Sequence, residues 1–209
     1  MKNLLKYSKK FDMEQIKLKY GKGCLEIGKL DFELTDKQIS ELWSLKPTER
    51  TTYKIFNNVG KTPRFHKNFG VKYDFSNMNV EFSEEIPEIL GIFLKYVNNI
   101  ENKRSETEFE EYNGILVNWY PEGKDYIGYH SDDEKGLDGN VWTISLGGTR
   151  KFKLQSKNRT DKDDYSFDVK NGDVIVMCDS DTQKFYKHSI TKTKKKVEPR
   201  ISITIRRFK

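Results

Sequence analysis

The sequence predicts a mainly β domain, a sandwich or barrel with helices outside one face. Three observations carry this. From Tyr112 onward, seven strand-length segments follow one another, split by Gly, Asp and Asn turns. Two segments with helical spacing lie upstream of them. Aromatic residues make up 13% of the 209 positions, too large a buried payload for a mainly disordered chain.

The elements follow in order. Residues 1–22 read as a basic arm with a net charge of +5. CLEIGKLDFEL (24–34) reads as strand or extended chain. TDKQISELWSL (35–45) predicts a helix: Thr35 or Asp36 caps it, and Ile39, Leu42, Trp43 and Leu45 form one apolar stripe. TTYKIFNNVGKTPRF (51–65) alternates and predicts a hairpin turning at Asn57-Asn58 and Gly60. IPEILGIFLKYVNNI (86–100) is the clearest helix, with Pro87 near its first turn and Ile89, Leu90, Phe93, Leu94 and Val97 on one face. The strand segments are YNGILVNWY, VWTISLGG, RKFKLQ, DYSFDV, DVIVMCD, KFYKHSI and RISITIRRF.

Charge is unevenly placed. The whole chain carries +6, residues 184–209 carry +9, and the middle, 23–183, carries −8. Basic ends beside an acidic body fit contact with a polyanion, and equally fit solubility alone. No apolar stretch approaches the roughly 20 residues of a membrane span, and the start lacks the apolar core of a signal peptide. Cys24 and Cys178 are too few for a disulfide scaffold, so a reducing compartment is expected. A soluble intracellular monomer is the expectation.

The chemistry concentrates on a few residues. In YHSDDE, His130 and Asp132 are two apart and share a side of an extended segment. His188 ends another strand-like run, 56 residues later. Two imidazoles and one carboxylate on one face of a metal leave three positions open, the facial triad of non-haem Fe(II) oxygenases. A zinc hydrolase would use the same set. A Ser–His–Asp triad fits less well, because Ser131 points away from its neighbours. In PRISITIRRF, Arg200, Ser202, Thr204 and Arg206 alternate with Ile201, Ile203 and Ile205. If that polar row faces solvent it is an ordinary outer face. If it faces a barrel interior, two buried guanidiniums need an anion, and a dicarboxylate such as 2-oxoglutarate suits them. Asn118 and Tyr120 share one parity of NWY and line the same cavity on this reading.

Taken together, NWY, HSDDE, SLGG-x-R-x-F, GDVIVM, YKHSI and PRISITIR occur in an order that resembles the AlkB family of Fe(II)/2-oxoglutarate-dependent dioxygenases. The likeness is greatest to its eukaryotic-type DNA-repair homologues and covers about residues 51–208. The resemblance implies a double-stranded β-helix (jelly roll) core at 111–209, with an N-terminal α/β substrate-recognition extension. Residues 23–110 would form the nucleotide-recognition lid and supporting helices, in one integrated domain with the core. His130, Asp132 and His188 would hold Fe(II) as the catalytic centre. Asn118, Tyr120, Arg200, Ser202, Thr204 and Arg206 would contact 2-oxoglutarate, with O2 as the other co-substrate; Ser202 takes a place often held by Asn. The implied reaction is oxidative demethylation of bases of the 1-methyladenine and 3-methylcytosine type in DNA, after base flipping, with release of formaldehyde, succinate and CO2. RNA demethylation, protein hydroxylation and a non-enzymatic nucleic-acid-binding jelly roll are the alternatives.

On the substrate side, TPRFHKNFGVKYDFS (62–76) resembles the family's lid, with Tyr73 and Phe75 as pocket residues and Arg64 matching a Pro-Arg pair. Asp133 and Glu134 resemble pocket acids, although both would also serve as surface acids. IFNNVGKTPR (55–64) has the length of a duplex-probing hairpin, with Ile55 and Phe56 as the wedge or, by propensity, as strand core. The 155–164 loop keeps Lys157, Arg159 and Lys162 but adds Asp161, Asp163 and Asp164. That departure leaves single-stranded DNA or RNA open beside duplex. Lys192, Lys194, Lys195 and Lys196 are expected to grip phosphates, with Lys157 and Arg159 as further contacts to the nucleic-acid backbone. His66 is expected at the surface or near a phosphate, not as a ligand.

Overall fold

The computed structural model of the chain describes residues 13–21, 23–55, 58–71, 84–106, 108–160 and 163–209. Along the chain the elements are β1 (Met13–Lys17), β2 (Cys24–Lys29), α1 (Asp36–Ser44), β3 (Thr52–Ile55), β4 (Asn58–Lys61), β5 (Phe65–Gly70), α2 (Glu88–Arg104), β6 (Gly114–Tyr120), β7 (Ile127–His130), β8 (Leu137–Gly147), β9 (Arg150–Ser156), β10 (Tyr165–Val169), β11 (Asp173–Cys178), α3 (Asp179–Phe185), β12 (Tyr186–Ile190) and β13 (Arg200–Phe208). Among these residues no helix is long and apolar enough to cross a membrane.

The alternation read in the C-terminal segment places β13 at the heart of the fold. Ile201, Ile203 and Ile205 join Trp119, Trp142, Val174 and Val176 in one core. That core is closed from outside by Leu42 of α1 and by Leu90, Phe93, Tyr96 and Val97 of α2. Each such side chain, taken out of water, contributes about 1.5–3 kcal/mol. Both helices are also tied by polar bonds. Trp119 Nε1–H donates to the Leu42 carbonyl at 3.0 Å, and Trp142 Nε1–H to Glu101 Oε1 at 2.9 Å. At the start of α1, Thr35 and Gln38 form a reciprocal capping box.

The other face of the same sheet packs on a second sheet. The larger sheet has the order β1-β2-β11-β8-β13-β6-β5 and the smaller β10-β9-β12-β7. All their pairings are antiparallel. Leu25, Val141, Ile175 and Met177 from the larger sheet meet Phe152, Leu154, Val169 and Tyr186 from the smaller one. The result is the sandwich with helices outside one face that the strand pattern predicted, in the jelly-roll form that the resemblance implied.

Several local expectations are corrected. Met13–Lys17, placed in the basic arm, is β1, the edge strand on β2. The hairpin forms, but Asn58 and Gly60 lie within β4 and the connection is residues 56–57, which lie outside the described residues. Phe65–Gly70, read as lid, is β5 and pairs with β6. Where β7 lies the sequence reading has only the extended pair His130 and Asp132, and it assigns Lys184 and Phe185, which end the helix α3, to a strand segment. Cys24 and Cys178 stand at paired positions of β2 and β11, with Cα atoms 5.1 Å apart, and form a disulfide rather than two reduced thiols.

The turn after β8 sets where β13 begins. Gly147 adopts φ +85°, and a Cβ on Gly148 would stand 2.0 Å from the Glu198 carbonyl oxygen. Gly148 N–H donates to the Pro199 carbonyl at 2.9 Å, so the backbone entering Arg200 is fitted against a position with no side chain. Gly148→Ala is expected to cost about 1–3 kcal/mol. Thermal melts should read this as a fall in Tm of roughly 3–10 °C; an unchanged melt would mean that the turn gives way freely.

Candidate functional site

β13 supplies the floor of the site. Arg200, Ser202, Thr204 and Arg206 all point into the jelly roll and are buried. Register places Tyr120 opposite Arg200 and Asn118 opposite Ser202 on β6, so these six polar residues share one interior surface. Leu116, Ile127, Thr143, Phe152 and Ile190 complete its lining, together with His130, Asp132 and His188.

The histidines meet through strand pairing. β12 and β7 place His188 directly opposite His130, with ring centroids 4.2 Å apart. Asp132 follows β7 and brings Oδ2 to 3.6 Å from His188 Nε2. One ligand atom from each of the three lies within 4.8 Å of the others. The loop that carries Asp132 is fastened on both sides. Ser131 Oγ–H donates to the Tyr186 carbonyl at 2.8 Å, and Asp132 N–H donates to Gln183 Oε1 of α3 at 2.8 Å.

Electrostatics put these groups in their metal-binding forms. Burial lowers the His188 imidazole to about 3, so it is neutral at neutral pH. Burial also lowers His130, against the pull of Asp132. His130 Nδ1 lies 2.9 Å from the Gly128 carbonyl; a proton there leaves Nε2 with its lone pair. Burial alone would raise Asp132, but Arg206, then His188 and His130, outweigh it and hold the carboxyl below its usual range. Two neutral imidazoles and one carboxylate gathered together fit one face of an octahedral Fe(II).

The arginines divide the remaining work. Arg206 stands between two acids, with Nη2 3.0 Å from Asp132 Oδ1 and Nη1 2.7 Å from Glu134 Oε1. Arg200 donates from Nε to Ser145 Oγ at 2.9 Å and lies over the Tyr120 ring at 5.1 Å. Its Nη1 is buried without a partner among the described residues. A buried guanidinium with an unused donor, in a cavity floored by hydroxyls, fits an anionic oxygen of a dicarboxylate. The chemistry of the cavity thus agrees with 2-oxoglutarate as well as with iron.

The expected substrate residues fare unevenly. Arg64 is buried and donates from Nε to Asn118 Oδ1 at 2.5 Å. The paired acids separate: Asp133 is exposed, whereas Glu134 is half-buried. Burial and then Asp132 raise the Glu134 carboxyl despite Arg206, and its Oε2 has no partner among the described residues. Ile55 closes the β3–β4 ladder opposite Asn58. Phe56, Tyr73 and Phe75 lie outside the described residues, as do Asp161 and Lys162. Lys194, Lys195, Lys196 and Arg159 are exposed. Lys157 is not a free cation, because its ammonium donates to the Gln183 carbonyl at 2.8 Å. The loop acids are also committed: Asp163 accepts from Tyr186, Tyr165 and the Lys19 amide, and Asp164 from the Ser156 amide.

Three residues near the site escaped sequence reasoning. Gln183 carried no motif. Arg150, read only as a family letter, is buried and donates to the carbonyls of Asp125 at 2.5 Å and Thr191 at 2.8 Å. His66, expected at the surface, is buried on β5 opposite Asn118; the alternation of FHKNFG was the available signal. Burial, reinforced by Arg64, lowers its pKa from 6.5 to about 3. Between those values the unfolded chain binds more protons, so stability is full above the unfolded pKa and falls as pH falls. His66→Gln should flatten the pH dependence of the urea-unfolding free energy across this window by about 1.4 kcal/mol per pH unit. Parallel curves for variant and parent would mean an ordinary imidazole.

The description "2OG-Fe(II) oxygenase superfamily" belongs to the family model that matches residues 36–206. The alpha-ketoglutarate-dependent dioxygenase alkB homolog 3 of Bos taurus is 28% identical over 193 residues, which cover 88% of this chain and 65% of that protein. The human DNA oxidative demethylase ALKBH2 is 25% identical over 166 residues, covering 74% of this chain and 60% of that protein. The chain thus spans less than two thirds of the length of these relatives. A solved structure described as that of OsALKBH1 superposes with a TM-score of 0.60 at 20% identity, covering 93% of this chain and all of the other. An oxidoreductase of the 2OG-Fe(II) oxygenase family from Burkholderia pseudomallei superposes with a TM-score of 0.54 at 14% identity, covering 87% of this chain and 84% of the other.

Proposed function

The chain belongs to the 2OG-Fe(II) oxygenase superfamily, and from that premise we propose that it is an AlkB-type enzyme that uses Fe(II), 2-oxoglutarate and O2 for oxidative demethylation of N-alkylated bases in DNA. One observation carries the reading: the His130–Asp132–His188 cluster shares an interior cavity with Arg200, whose Nη1 lacks a partner among the described residues.

In this reading His130, Asp132 and His188 hold the iron. Arg200 receives the distal carboxylate of 2-oxoglutarate, with Tyr120, Asn118, Ser202 and Thr204 lining the co-substrate space. Arg206 keeps Asp132 ionised and oriented. Iron with 2-oxoglutarate and O2 supplies the oxidation that converts an N-methyl group to N-hydroxymethyl, which leaves as formaldehyde, with succinate and CO2 as co-products. Glu134 offers its free Oε2 to a cationic methylated ring or its exocyclic amine. Arg64, together with Ile55 and Phe56 and with Tyr73 and Phe75, receives and holds the flipped nucleotide. Residues 23–110 act with the 111–209 core as one recognition and catalytic unit, and Lys194–Lys196 track the phosphates.

The test is succinate formation from 2-oxoglutarate with methylated and unmethylated oligonucleotides, each as single-stranded DNA, duplex DNA and RNA. Stimulation by methylated DNA, with formaldehyde released one for one, is expected; His130→Ala or Asp132→Ala should abolish it while oligonucleotide binding persists. Equal turnover with and without the methyl group would overturn the reading, and a preference for methylated RNA would move the substrate class.

Replacing Lys194, Lys195 and Lys196 together by Gln should reduce the slope of log K against log salt for single-stranded DNA by roughly 2. Fluorescence anisotropy across a salt series measures it, and an unchanged slope would leave these lysines as solubilising charge.

A further inference from the structure

α3 lies against the metal-binding loop, and none of its residues lines the cavity that holds the histidine pair. It joins β11 to β12 and is held at several points. Thr182 Oγ–H donates to the Cys178 carbonyl at 2.5 Å, close to the Cys24 carbonyl. A Cβ on Gly23 would stand 2.4 Å from Thr182 Oγ1, so β2 enters flush against the helix. The Lys157 ammonium donates to the Gln183 carbonyl. The Gln183 side chain is buried, with Nε2 3.4 Å from Met177 Sδ and Oε1 2.8 Å from Asp132 N.

Asp132 lies beyond the end of β7, so its N–H has no ladder carbonyl to meet, and it is buried. A buried backbone donor requires a partner, and Gln183 is the one the chain provides. The bond fixes the main chain from which the carboxylate hangs. Arg206 fixes the other end, at Oδ1. We propose that Gln183 is a positioning residue for the metal-binding carboxylate, setting the backbone of Asp132 so that its carboxylate faces the two imidazoles. This deepens the function proposed above and rests on its metal site.

Co(II) serves as a spectroscopic probe, added to the purified full chain without O2 or 2-oxoglutarate. Gln183→Met keeps the volume and removes the amide acceptor; Gln183→Glu keeps an acceptor oxygen. Gln183→Met is expected to weaken Co(II) binding about tenfold and to change its visible absorption bands, while Gln183→Glu returns affinity to within about threefold of the parent. Unchanged affinity and bands in Gln183→Met overturn the proposal. Should that variant fail to fold, amide hydrogen exchange of the parent decides. Strong protection of the Asp132 N–H supports the bond, and exchange at the rate of an open loop overturns it. If the parent itself binds no Co(II), the fault lies with the metal site and not with Gln183.

Discussion

The placement of β13 between β6 and β8 is the constraint on which the rest of the structure depends. Successive side chains of a strand point to opposite faces, so one nine-residue segment does two incompatible jobs. Its isoleucines close the core under the helices, and its arginines and hydroxyls floor the cavity. A slip of one residue would exchange the two faces, sending guanidiniums into the helix-side core and isoleucines into the cavity. Pairing on both sides and a turn that admits no Cβ on Gly148 oppose that slip.

Above this floor, charge is balanced by sharing. Arg206 serves Asp132 and Glu134 together. The two carboxyls shift in opposite directions: at Asp132 Arg206 helps to outweigh burial and hold it low, whereas at Glu134 burial, with Asp132 beside it, outweighs the same cation. Among the described residues Arg200 has no acid of its own, and it leans on the Tyr120 ring and Ser145. One end of the cavity is therefore electrically settled, and the other is short of negative charge.

Legibility in the sequence followed the range of the interactions. The β13 row could be read because period two is local, and the H-x-D pair because residues two apart share a side of an extended chain. Whether the row faced solvent or a cavity was not local, and the motif order settled it through resemblance. His66 was missed although FHKNFG alternates, because the stretch was read as lid. α3 was missed because DSDTQKF has no apolar stripe; it is a helix held by its neighbours rather than by its own pattern. Gln183 and Arg150 acquire their partners only when distant strands meet, and spacing along the chain says nothing of that. The same is true of the cystine, whose halves are 154 residues apart.

That covalent link encloses a ring of chain. His130 and Asp132 lie inside it, while His188 and β13 lie on the tail beyond Cys178. Backbone scission at one exposed bend between Cys24 and Cys178 would open the ring without releasing either fragment. Electrophoresis lacking thiol would then report an intact polypeptide, and two bands would separate only after the sulfur bridge had been cleaved.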